Sequence, residues 1–167
     1  MRANIISGIA ETIGKFVENL VALFMSLLLV VVACNVFARY ILKIGLTWAE
    51  EFSLLLFVWV VFLGAYLAMR KKAHLALTFI IKRLPPRAFT ISRYIILVLV
   101  TLFVLAVFIG GFEFVRRVVS LDQRTPLLGI SAAWAYASIP VSTALMLLEI
   151  MKIFIRKEHM VYIDFDN

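Results

Sequence analysis

Charge is scarce in this sequence, and it is missing altogether from its longest segments. Only 16% of the 167 residues are Asp, Glu, Lys or Arg, against ~25% in ordinary soluble domains. Four runs hold no Asp, Glu, Lys, Arg or His: Leu20–Ala38, Phe52–Met69, Tyr94–Phe112 and Thr125–Leu148. Cysteine is nearly absent too. Cys34 stands alone, which excludes an intrachain disulfide and a Cys-rich metal site. Both histidines, His74 and His159, lie outside the runs, so no pair of mid-membrane imidazoles can clamp a haem. The runs hold no paired aspartates, no Ser–His pair and no H-E-x-x-H motif, which argues against intramembrane proteolysis. Transporters that couple ions or protons on their own keep an ionisable residue inside the membrane, and this chain has none there. Independent active transport is disfavoured.

What the chain does have is apolar surface. Ala, Val, Ile, Leu, Met, Phe, Trp, Tyr and Cys make up 64% of it, and the mean hydropathy is +1.04. A domain of this size buries only about 70% of the surface its unfolded chain exposes, so one water-soluble core cannot hide that much. A cytosolic globular enzyme is ruled out. At 1.5 Å per residue, a run of 19 residues spans about 28 Å, close to the ~30 Å hydrocarbon core. Barrel strands would alternate polar and apolar residues, and these runs do not. The reading is an all-α membrane protein with four transmembrane helices. The chain divides into an amphipathic segment at 3–19, spans at 20–42, 47–69, 88–115 and 126–155, an interfacial segment at 71–84 and a tail at 156–167, forming one compact four-helix domain.

The net charge of +7 reads as topology rather than nucleic-acid binding, because cytoplasmic loops collect Lys and Arg. With the N-terminus inside, twelve basic residues fall on the cytoplasmic side and five outside: Arg39, Lys43, Arg116, Arg117 and Arg124. Both termini are therefore expected in the cytoplasm. The first run is too long for a signal peptide and is expected to be retained. Helical periodicity over 3–19, with Glu11 and Lys15 as an i,i+4 pair, suggests an interfacial amphipathic helix. In 71–84 Lys71, His74, Thr78 and Lys82 fall three and four apart on one basic face, and Lys72 and Arg83 belong to the same interfacial segment. With Arg70 before it, it can lie against anionic headgroups, or the same face can pack on a partner.

The remaining charges sit at the rims. Arg39 closes the first span, and Thr47-Trp48-Ala49-Glu50-Glu51 opens the second with the S/T-x-x-E spacing of a capping box. Trp48 suits the membrane interface. Arg39, Trp48, Glu50 and Glu51 serve either as a capped, anchored helix start or as a contact point for a partner. Trp59 lies in an aromatic stripe on the second span. Gly64 and Ala68 form a small-xxx-small pair that marks a helix–helix contact, internal or to another subunit. Trp134, Tyr136 and Pro140 belong to the fourth span, which Pro140 should kink.

The segments Asn35-Val36-Phe37-Ala38-Arg39-Tyr40, Trp48-Ala49-Glu50-Glu51, Trp59, Phe62-Leu63-Gly64-Ala65, Arg70 and His74, followed by Pro126-Leu127-Leu128-Gly129, Trp134, Tyr136 and Ile139-Pro140, fall in a characteristic order and spacing. Over about residues 20–150 the chain resembles the small, DctQ-like membrane subunit of tripartite ATP-independent periplasmic (TRAP) transporters. It departs from that pattern at Leu75 and in the Leu46-Thr47 turn. The resemblance implies a non-enzymatic scaffold that stabilises a large multi-span transport subunit and helps dock a periplasmic binding protein carrying an organic acid, such as a dicarboxylate or a sialic or other sugar acid. Sodium would bind in the large subunit, leaving this chain without a cofactor. Membrane lipids are further partners, and nucleic acid is not. The rival readings are a free-standing four-span exporter or channel, and a membrane anchor of another complex.

Overall fold

The computed structural model describes residues 2–71 and 86–155. Its helices are α1 (Arg2–Tyr40), α2 (Thr47–Arg70), α3 (Pro86–Ser120), α4 (Ala133–Tyr136) and α5 (Ser138–Ile155). Among the described residues, four stretches are long and apolar enough to cross a bilayer: Glu11–Tyr40, Thr47–Arg70, Ile95–Ser120 and Ala133–Lys152. All four expected spans are present as helices, which satisfy their own backbone where water is absent.

Among the described residues the spans pack as successive neighbours. α1 packs on α2, α2 on α5, and α5 on α3, leaving α1 and α3 at the two outer positions. The spatial order of the described spans is first, second, fourth, third, an open row. Lipid permits this, because an exposed apolar helix face costs nothing there. Each seam follows the 3–4 spacing that keeps one stripe of a helix facing its neighbour. On α1 the stripe runs through Gly14, Val17, Val21, Phe24, Leu28 and Val31 to Ala38, buried or half-buried. On α2 the facing positions include Ala49, Leu56 and Leu63, all buried and seven apart. Toward the Arg70 end, Val17, Leu63 and Tyr66 form a core that Leu145 and Met146 of α5 complete.

Two boundaries differ from expectation. The segment 3–19 is not a separate helix: α1 continues unbroken for 39 residues, about 58 Å at 1.5 Å per residue. Nothing between the amphipathic stretch and the first span breaks it, since neither Pro nor an αL residue intervenes. The fourth span begins at Ala133 rather than 126. Residues 126–132 form a folded loop, because Pro126 removes a donor and Gly129 sits at φ +65°, a left-handed turn conformation. The segment expected at 71–84, beyond Lys71, and the tail at 156–167 lie outside the described residues.

The fourth span is interrupted at Ala137, between α4 and α5, three residues before Pro140, and side chains donate to carbonyls beside the interruption. The Trp59 indole donates to the Trp134 carbonyl at 3.1 Å, and the Ser138 hydroxyl to the Ala135 carbonyl at 2.7 Å. Substitution of this kind is how a broken helix survives in lipid.

Candidate partner-contact sites at the two ends of the row

The α1–α2 turn brings the acidic start of α2 beside the end of α1. A guanidinium nitrogen of Arg39 lies 3.3 Å from a carboxylate oxygen of Glu50. Both side chains are more than half exposed, at 65% and 59%, so the pair contributes little to stability. The expected capping box is absent. Leu46 is the N-cap and no side chain caps the helix, because the helix begins one residue earlier than a Thr47 cap requires and Glu50 turns to Arg39. Trp48 is half exposed beside it.

Glu51 does something else. Its carboxylate accepts the backbone N–H of Leu127 at 3.1 Å and of Leu128 at 2.6 Å. The loop it holds is already folded on itself. Thr125 N–H donates to Ile130 O and Ala132 N–H to Gln123 O, at 2.8 and 2.9 Å, around an Arg124–Ser131 bridge. The turn at Pro126–Gly129 points the two N–H groups toward α2, and only an acceptor at that level can satisfy them. Glu50 and Glu51 therefore diverge, as residues about 100° apart on a helix must. Glu50 is available at the surface, whereas Glu51 is consumed inside the chain. The turn residues 126–129 were the only sequence signal for this clasp.

At the opposite end, Arg70 and Lys71 brace α2 against α1. Arg70 donates to the Glu11 carbonyl at 3.3 Å, and its guanidinium occupies the space a side chain at Gly14 would fill. Lys71 pairs with Glu18, and Glu11 with Lys15 at 3.6 Å. Of the basic residues predicted for this interface, Lys72, His74, Lys82 and Arg83 lie outside the described residues.

The predicted packing residues divide. Trp59 is half-buried and meets Phe24 edge-on at 6.5 Å. Tyr136 packs edge-on against Phe114 at 4.8 Å. Pro140 and Ile139 press on Gly111, where an added Cβ would come within 2.6 Å of Ile139 Cγ2. Gly64 has nothing near its Cβ direction and Ala68 is exposed, so among the described residues this small-residue pair makes no close helix contact. Gly111, which the spacing reading missed, makes the close approach instead. Trp134 remains 64% exposed. Among the described residues no three His, Cys, Asp or Glu side chains converge as a metal site would require.

Residues 28–158 match the family of tripartite ATP-independent periplasmic transporters, DctQ component. The chain belongs to the DctQ family. Among similar proteins is a TRAP transporter small permease protein of Haemophilus influenzae, 29% identical over 87% of this chain and 92% of the relative. The sialic acid TRAP transporter small permease protein SiaQ of Vibrio cholerae is 27% identical over 86% and 83%. A third match is of a different kind. The sialic acid TRAP transporter permease protein SiaT of Haemophilus influenzae is 33% identical over 75% of this chain but only 20% of its own length. There, a DctQ-like stretch is part of a much longer polypeptide. A DctQ-family chain with four membrane-spanning helices is a multi-pass protein of the bacterial inner membrane, and a transport component rather than an enzyme.

Proposed function

We propose that this small subunit is the scaffold of a sodium-driven, binding-protein-dependent importer of an organic acid. It holds the static part of a large permease in which the substrate and sodium sites lie. The observation that carries this reading is the uncharged interior: four runs without an ionisable side chain, in a chain of a transporter family. The ion and the acid then need ligands in another subunit, because charged groups in the membrane persist where function requires them. The relative in which the matching stretch makes up one fifth of a longer permease supports a large partner. The sialic acid named for two relatives supports a carboxylate substrate.

Both termini face the cytoplasm in this reading, by the Lys and Arg distribution. The Arg39 end faces the periplasm, where the Arg39–Glu50 pair offers the binding protein one charge of each sign. The 71–84 segment holds headgroups on the cytoplasmic side. Reconstituted with the large permease, binding protein and a sodium gradient, the subunit should support uptake that ceases when it is omitted. The purified chain alone should give no flux, and flux without partners would sink the proposal. Arg39→Ala and Glu50→Ala should each change stability by less than about 1 kcal/mol and leave assembly intact. They should raise the binding-protein concentration needed for half-maximal uptake. An unchanged concentration dependence would show that this rim does not dock the binding protein.

A further inference from the structure

Among the described side chains of α4 and α5, the large apolar ones left exposed are Trp134, Val141, Leu148 and Met151. Trp134, Val141 and Leu148 are seven residues apart, so they form one narrow stripe along the fourth span. Ser138 and Ser142 on this helix are fully buried, and Gly111 covers Ile139 and Pro140 from α3. The stripe is thus what remains after α2 and α3 have taken their faces. A heptad-spaced seam of this width matches the packing face of one further helix.

Trp134 separates this stripe from an ordinary lipid face. Its carbonyl is fixed by the Trp59 indole, and Trp59 lies eight residues past Glu51, within the uncharged run Phe52–Met69. The Trp134 ring is 64% exposed, and among the described residues its own Nε1–H meets no acceptor. An indole N–H just inside the start of the fourth span, beside a residue of the uncharged second run, seeks a hydrogen-bond partner. Exposed tryptophans also recur as anchors in protein interfaces. The stripe runs from Trp134 to Leu148, about 21 Å along the helix. A soluble protein resting on the Arg39 end does not reach that far.

We infer that the Trp134–Val141–Leu148 stripe receives a transmembrane helix of the large permease, with the Trp134 indole donating to an acceptor on that helix. The inference rests on the scaffold reading above and adds the surface through which the scaffold acts. The occupant follows from the depth of the stripe and from the relative whose DctQ-like stretch is continuous with a longer permease chain. Such a stretch lives beside a membrane-embedded neighbour of its own polypeptide.

The test uses the complete complex, with a photo-reactive phenylalanine placed singly at 134, 141 or 148, and at Leu99 and Phe103 on the exposed side of α3 for comparison. Irradiation should attach the large permease from 134, 141 and 148, with yields severalfold above those from 99 and 103. Trp134→Phe, which keeps the ring and removes the N–H, should reduce the large permease recovered with the small subunit. The helicity and monomer profile of the isolated chain should stay unchanged. Three results would overturn the inference: attachment of a second copy of this chain, attachment of lipid only at the stripe, or attachment of the large permease from α3 alone. The last would leave the scaffold reading standing. If no large permease accompanies the subunit at all, both fall together.

Discussion

Glu51→Ala should release the loop between the third and fourth spans. The carboxylate accepts two backbone N–H groups, from Leu127 and Leu128, and hydrogen bonds to a charged group are worth about 1.5–3 kcal/mol each. Water at the rim recovers part of this, so a local loss of about 2–3 kcal/mol is expected. At about 1.4 kcal/mol per factor of ten, the Leu127 and Leu128 amides should exchange with deuterium roughly 30- to 100-fold faster. Such local opening is what amide exchange reads. Glu51→Gln keeps one acceptor oxygen without the charge and should fall between wild type and alanine. Glu50→Ala, one residue away, should leave these two amides unchanged. Equal exchange in Glu51→Ala and wild type would show that the loop holds itself through its own Thr125–Ile130 and Ala132–Gln123 bonds.

The second large effect is expected at Gly111. A Cβ there would lie 2.6 Å from Ile139 Cγ2 and 3.3 Å from Ile139 Cβ, and Ile139 is a β-branched residue with little rotamer freedom on a helix. The α3–α5 seam must then open. Gly111→Val should cost about 2–3 kcal/mol, the upper part of the range for overpacking. Gly111→Ala should cost less, because the better helix propensity of alanine offsets about 1 kcal/mol. Gly64→Val makes the contrast. Nothing lies within 4 Å of its Cβ direction, so the isolated chain should keep its stability. Unfolding in mild detergent separates the cases, and equal midpoints for Gly111→Val and Gly64→Val would refute the packing described.

Both effects arise where the sequence was least readable. Gly64-Ala68 has the spacing of a helix contact and makes no close one among the described residues, whereas Gly111, which that spacing does not mark, carries the α3–α5 approach. Lipid-facing and helix-facing positions are both apolar, so hydropathy cannot tell them apart. The Glu51 clasp joins residues 76 and 77 apart, and no local pattern pairs an acid with a turn at that distance. The Arg39–Glu50 pair, by contrast, was legible, because a turn of a few residues leaves an arginine and a glutamate at the same end little room to part.

The sequence by itself determined that lipid is the solvent, that four helices span it, and that none carries charge inside. Those are one-dimensional properties: a backbone in hydrocarbon has to be helical over about 20 residues, and composition alone reveals such a segment. The order of the spans in an open row, the late start and break of the fourth, the internal use of Glu51 and the exposed Trp134 stripe were decided only by tertiary structure. Each depends on which apolar face meets which, and in lipid that choice is made by shape, small residues and a few backbone hydrogen bonds rather than by polarity.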